Sequence, residues 1–125
     1  MNFISTSDVP APAGHYSQAV EANGFVFVSG MLPGAGVATD GPDNFERQVR
    51  ATLQHCERVL AAAGCSLETV VQCTAYIVGV ANWPEFNRIY AERFGAHRPA
   101  RAVVPVPELH HGFLVELQMT ACKTS

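Results

Sequence analysis

Charge is what this chain has least of. Only 15% of its 125 residues are Asp, Glu, Lys or Arg, and eight cations against eleven anions leave a net charge of −3. An ordinary domain carries about a quarter charged residues. There is no Lys/Arg run, so the basic footprint that grips nucleic acid regardless of sequence is missing. Long apolar runs are missing as well. The longest uncharged stretch, residues 22–39, is broken by four glycines and a proline, and it reads as strand and turn, not as a membrane span. The four cysteines, at 56, 65, 73 and 122, form no Cys-x-x-Cys pair, and no His cluster has zinc-finger spacing. No signal peptide or lipidation motif is found. The expectation is a cytoplasmic protein without a metal site, with Cys56, Cys65 and Cys73 as buried thiols.

What the chain has is apolar side chains, 48% of the total. The length suits one domain, residues 1–125. Asn23-Gly24 is a tight-turn signal. It separates a short strand at Ser17–Val20 from a strong one at Phe25–Met31. Phe45, Val49, Leu53, Cys56 and Leu60 form one apolar stripe, which predicts a helix capped by Asp43 or Asn44 and stopped by Gly64. Val70–Val80 reads as a strand. A shorter helix then runs from Asn82 to Gly95, with Phe86, Ile89, Tyr90 and Phe94 as its packing side. Ala100–Val106 and Phe113–Cys122 complete the set, with an extra strand near Phe3.

The order is β-β-α-β-α-β-β, an α+β arrangement. Two helices cover only one face of such a sheet. The strands are nevertheless apolar at even and odd positions, which predicts burial on both faces. A symmetric oligomer is the simplest cover for the second face.

Few residues are available for chemistry. Arg101 opens an otherwise apolar strand, and Glu116 lies inside the apolar terminal strand. On neighbouring strands they would face one cleft. Arginine holds a carboxylate through two parallel hydrogen bonds, and a glutamate can serve a water as general base. Each also has an ordinary reading, an ion pair for Arg101 and a solvent-facing strand position for Glu116. Spacing alone does not define a site. His110-His111 occupy a turn with no Asp, Glu or Cys spaced to complete a metal site, His15 adjoins the first strand, and His55 is placed on the polar side of the first helix.

Several stretches taken together resemble the reactive intermediate deaminase family (RidA, YjgF-like). They are Gly14-His15-Tyr16-Ser17-Gln18-Ala19-Val20, Phe25-Val26-Phe27-Val28-Ser29-Gly30, Ala61-Ala62-Ala63-Gly64, Phe86-Asn87-Arg88-Ile89-Tyr90, Arg98-Pro99-Ala100-Arg101 and Leu114-Val115-Glu116-Leu117. The likeness runs from about residue 10 to 122.

The resemblance implies a chorismate-mutase-like fold, with a mixed six-stranded sheet, two helices on one face, and a homotrimer with clefts between subunits. It implies cofactor-free hydrolysis of small 2-imino or 2-enamino acids to 2-keto acids and ammonia. Arg101 would clamp the substrate carboxylate and Glu116 would orient or deprotonate the water. Tyr16, Gly30 and Asn87 would line the cleft. The family's polar residues are replaced by Ala102, Val103 and Gln118. These keep two alternatives open: a catabolic deaminase for a larger substrate such as 2-aminomuconate, or a module that binds a small carboxylate without turnover. A nuclease or translation inhibitor, as reported for relatives, is opposed by the acidic net charge.

Overall fold

The computed structural model describes residues 1–123. Its regular elements are β1 (Asn2–Ile4), β2 (Ala19–Ala22), β3 (Phe25–Met31), α1 (Asn44–Ala62), β4 (Val70–Val78), α2 (Trp83–Phe94), β5 (Ala100–Val106) and β6 (Val115–Cys122), with three single 3-10 turns between them. The strands make one mixed sheet in the order β1-β2-β3-β6-β4-β5. Only β4 and β5 run parallel, joined through α2; the other neighbours are antiparallel. Among the described residues no helix is long and apolar enough to cross a membrane.

The turn chemistry explains the hairpin between β2 and β3. Asn23 and Gly24 have φ of 53° and 81°, the left-handed pair that a two-residue hairpin turn requires. Strand β2 begins at Ala19 and not at Ser17; the Gln18 carbonyl still accepts from the Ser29 N–H of β3, while the Gln18 side chain turns to the N-terminal segment. Its buried side-chain amide accepts from the Thr6 N–H at 2.7 Å and donates to the Thr6 and Pro10 carbonyls. It thereby pins the irregular segment leading to Tyr16 against the sheet. Strand β6 begins at Val115, two residues later than expected, because 110–112 form a 3-10 turn.

All five members of the α1 stripe are buried, as are Phe86, Ile89, Tyr90 and Phe94 of α2. These faces pack on Val26, Val28, Cys73, Ala75, Ile77, Val115, Leu117 and Met119 of the sheet. The caps differ from expectation. Asp43 occupies the N-cap of α1 but makes no side-chain capping hydrogen bond, and Asn44 instead donates to the Thr39 carbonyl. Asn82 donates to the Val78 carbonyl and does not cap α2.

Gln48 shows what holds the connections to this core. It is fully buried on α1, donates to the Ala38 carbonyl at 3.0 Å and accepts from the Leu114 N–H at 2.8 Å. One amide thus ties the 32–43 loop and the entry of β6 to the helix. Gln48→Leu keeps the volume and strands both partners. It is expected to cost about 2–4 kcal/mol, read as a lower midpoint in urea or thermal unfolding.

The helices cover one sheet face only. Burial alternates along β3, β4 and β6, so within one protomer the continuous apolar runs are not buried on both sides. Phe3, Phe25, Phe27 and Val104 are 71%, 41%, 48% and 36% exposed. Cross-strand register puts Phe3, Val20 and Phe27 in one row on this open face. Cys56, Cys65 and Cys73 are buried, and Cys122 is half-buried on the open face.

Candidate active site

Register decides where the two charges go. Arg101 pairs with Cys73 of β4, whose side chain is in the helix-side core. Glu116 pairs with Tyr76 of β4, on the opposite face. Strand β4 lies between β5 and β6. The expectation that Arg101 and Glu116 sit on neighbouring strands and face one cleft is therefore wrong within one protomer. Each charge heads its own group of residues, on its own side of the sheet.

The Glu116 group is built by a register shift between Val28 and Met31 in the β3–β6 ladder. Irregular ladder positions of this kind re-aim side chains. Here the shift sets Gly30 against Glu116: a Cβ on Gly30 would fall on the Glu116 carboxylate. Ser29 locks the adjacent chain, since its hydroxyl donates to the Ser17 carbonyl at 2.6 Å and its N–H donates to the Gln18 carbonyl at 3.0 Å. Tyr16 is thereby held over the same space. Gly14, Tyr16, Ser29, Gly30, Glu116 and Gln118 border a cavity of about 540 Å³. His110 and His111 form its lip, with His111 in the left-handed region at φ 62°.

The Arg101 group lies between α2 and the start of β5, the sheet's edge strand. Asn87, Tyr90, Phe94, His97, Arg98 and Arg101 border a groove of about 510 Å³. The Arg101 guanidinium carbon is 4.8 Å from the Tyr90 ring centroid, 5.9 Å from Phe86 and 6.0 Å from Trp83. Four other basic groups are committed to ion pairs: Arg50 and Arg88 bridge α1 and α2 through Glu46 and Glu92, Arg93 pairs with Glu57, and Lys123 with Glu21, whereas Arg47, Arg58 and Arg98 form none among the described residues. Arg101 makes no ion pair among the described residues. Burial pushes the Cys73 thiol up to about 12 and raises the Tyr90 phenol as well. Both groups beside the guanidinium thus stay neutral near pH 7, and its charge is not cancelled from below.

The chain therefore brings Tyr16, Gly30 and Glu116 together, and Asn87 and Arg101 together, but does not join the two sets. Of the three less polar replacements, Ala102 and Gln118 share the open face, both opposite Thr74. Val103 pairs with the buried Ala75 and packs on the core, so it borders neither group. His55 is not on a solvent face: its Nδ1 is 3.1 Å from the Leu32 carbonyl, and its ring closes over Gly34. Sequence reasoning missed the rings around Arg101. Their signal was the spacing of Trp83, Phe86 and Tyr90 on one side of a helix, but that stripe reads equally as core.

A six-stranded mixed sheet with two helices on one face defines an α+β protein. The whole-chain comparisons agree. The family model described as Endoribonuclease L-PSP matches residues 6–123. A RutC family protein of Pyrococcus horikoshii is 36% identical over 123 residues, 96% of either chain. Reactive Intermediate Deaminase A, chloroplastic, of Arabidopsis thaliana is 34% identical over 121 residues, covering 94% of this chain and 64% of the plant protein. The Rid family protein YyfA of Yersinia pestis superposes with a TM-score of 0.90 at 35% identity, over 97% of this chain and 98% of that one. The chain belongs to the L-PSP family, whose members here carry the names RutC and Rid. With a yeast relative named as mitochondrial and the plant one as chloroplastic, the family is not tied to one compartment.

Proposed function

We infer that this protein is a cofactor-free enamine/imine deaminase. It hydrolyses small 2-imino or 2-enamino acids to 2-keto acids and ammonia, and it works as a homotrimer with sites between subunits. The observation that carries the reading is the division of the site. One group holds an arginine fork with no carboxylate among its lining residues, and the other a carboxylate with no lysine or arginine. Two different patches that meet across subunits make a heterologous contact, which gives a closed ring where the rotation between copies closes. Three copies are what the family resemblance implies. The open apolar face supplies surface for the assembly.

The chemistry needs little else. The substrate carboxylate lies on the Arg101 fork through two N–H···O bonds. That places C2 of the protonated imine against Glu116 of the neighbouring protomer. Glu116 accepts a proton as a water oxygen bonds to C2, giving a carbinolamine. Glu116 returns that proton to nitrogen and then takes the carbinol hydroxyl proton as the C–N bond breaks and the C=O bond forms; the departing ammonia carries that proton away as ammonium. An enamine enters by tautomerising to the imine. A protonated imine carbon is already electrophilic, so positioning supplies most of the gain. Ribonuclease action, the activity in the family model's name, would need cationic surface, and the net charge of −3 opposes it.

The test is to generate 2-iminopropanoate with an amino-acid oxidase and follow its disappearance with and without the protein. Accelerated loss with matching pyruvate and ammonia is expected. An unchanged rate sinks the deaminase reading. Saturable pyruvate binding without any acceleration would favour the binding-module alternative.

A further inference from the structure

We propose that Trp83 is a positioning residue for the carboxylate clamp. With Phe86 and Tyr90 it forms an aromatic cradle that fixes the plane of the Arg101 guanidinium. The proposal deepens the deaminase reading and rests on it for the identity of the carboxylate.

Trp83 is the first residue of α2, with Phe86 three and Tyr90 seven positions on, so all three rings share one side of the helix. Phe86 and Tyr90 are buried and have core packing to explain them. Trp83 is 41% exposed, so it is not a core residue like the other two. Its ring reaches the guanidinium instead, at 6.0 Å. An arginine has two kinds of surface. Its flat faces stack on aromatic rings, and its N–H donors lie in the plane. Rings on the faces therefore restrict the side chain's rotation and leave the in-plane fork free. Carboxylate partners would hold the arginine equally well but would consume that fork and its charge. Among the described residues Arg101 has no such partner, and the groups beneath it are a neutral phenol and a neutral thiol. The cradle thus orders the cation without neutralising it, which is what a clamp needs before its anion arrives.

Trp83 is also the chain's single tryptophan, so its fluorescence reports on the clamp directly. Pyruvate, the product of the proposed reaction, is the probe. Titrating it into the wild-type protein should change Trp83 emission saturably, and Arg101→Ala should abolish the response. By calorimetry, Trp83→Phe should bind pyruvate within about threefold of wild type. Trp83→Leu keeps apolar bulk without a π face and should bind roughly 5- to 30-fold more weakly, the range of a partly desolvated cation–π contact. With an imine substrate, Trp83→Leu should raise KM by a similar factor and leave kcat unchanged. Trp83→Ala repeats the measurement if leucine packs poorly. Equal pyruvate affinity in Trp83→Leu and wild type overturns the cradle, as does absence of saturable pyruvate binding to wild type. Imine hydrolysis that persists with unaltered KM in Trp83→Leu would sink the cradle and leave the deaminase reading standing. Pyruvate binding weakened in Trp83→Leu, with no turnover in any form, would do the reverse.

Discussion

Arg101→Ala is expected to lower kcat/KM for imine hydrolysis by about 10²- to 10³-fold, the loss of two charge-assisted hydrogen bonds to a substrate carboxylate. The fold should survive. The side chain is half-buried at the sheet's edge strand, makes no ion pair among the described residues and fills a groove margin, not the core. Arg101→Lys should recover only a small part of the activity. An ammonium restores the charge but not the planar fork, and it cannot stack on Tyr90, Phe86 and Trp83 in the same way. Assay with unaltered circular dichroism and unaltered assembly separates this loss from unfolding. If Arg101→Ala keeps wild-type kcat/KM, the clamp assignment fails.

Glu116→Gln should act on the other term. It preserves side-chain size and the close contact with Gly30 but removes the proton acceptor. A loss of about 10²- to 10⁴-fold in kcat is expected, the usual contribution of a positioned general base, with KM and pyruvate affinity nearly unchanged. Glu116→Asp should be impaired as well, because shortening by one methylene draws the carboxylate away from Gly30 and the Tyr16 side of the cavity. The contrast is informative: Arg101 variants should lose binding along with rate, and Glu116 variants should lose rate alone. Full activity in Glu116→Gln would leave the water without a base and refute the mechanism.

Much of the fold is legible in the sequence because it rests on local signals. The step-of-three-and-four stripe in α1, the Asn23-Gly24 turn and the alternation of β6 each specify an element without outside help. Boundaries slipped where tertiary hydrogen bonds override propensity. The Gln18 side chain is drawn into the N-terminal segment, and Leu114 donates to Gln48. The candidate site was legible as residues but not as geometry. Arg101 and Glu116 stand out because charge is scarce. Which face each occupies depends on cross-strand register, and no local pattern states that register or that β4 separates their strands. The apolar runs in β3 and β4 predict burial on both faces. One protomer buries one face and exposes Phe25 and Phe27 on the other, so the second half of that expectation passes to the assembled protein.

The central claim is that one working site takes Arg101 from one protomer and Glu116 from the next. Co-expression of Arg101→Ala and Glu116→Gln chains with different tags, followed by tandem purification of mixed trimers, tests it directly. In either mixed composition the ring contains a single junction at which an intact Glu116 faces an intact Arg101. About one third of wild-type activity should return, from two parents that are each inactive. Mixed trimers no more active than their parents would place Arg101 and Glu116 in the same protomer's site, or in no shared site at all, and would contradict the account.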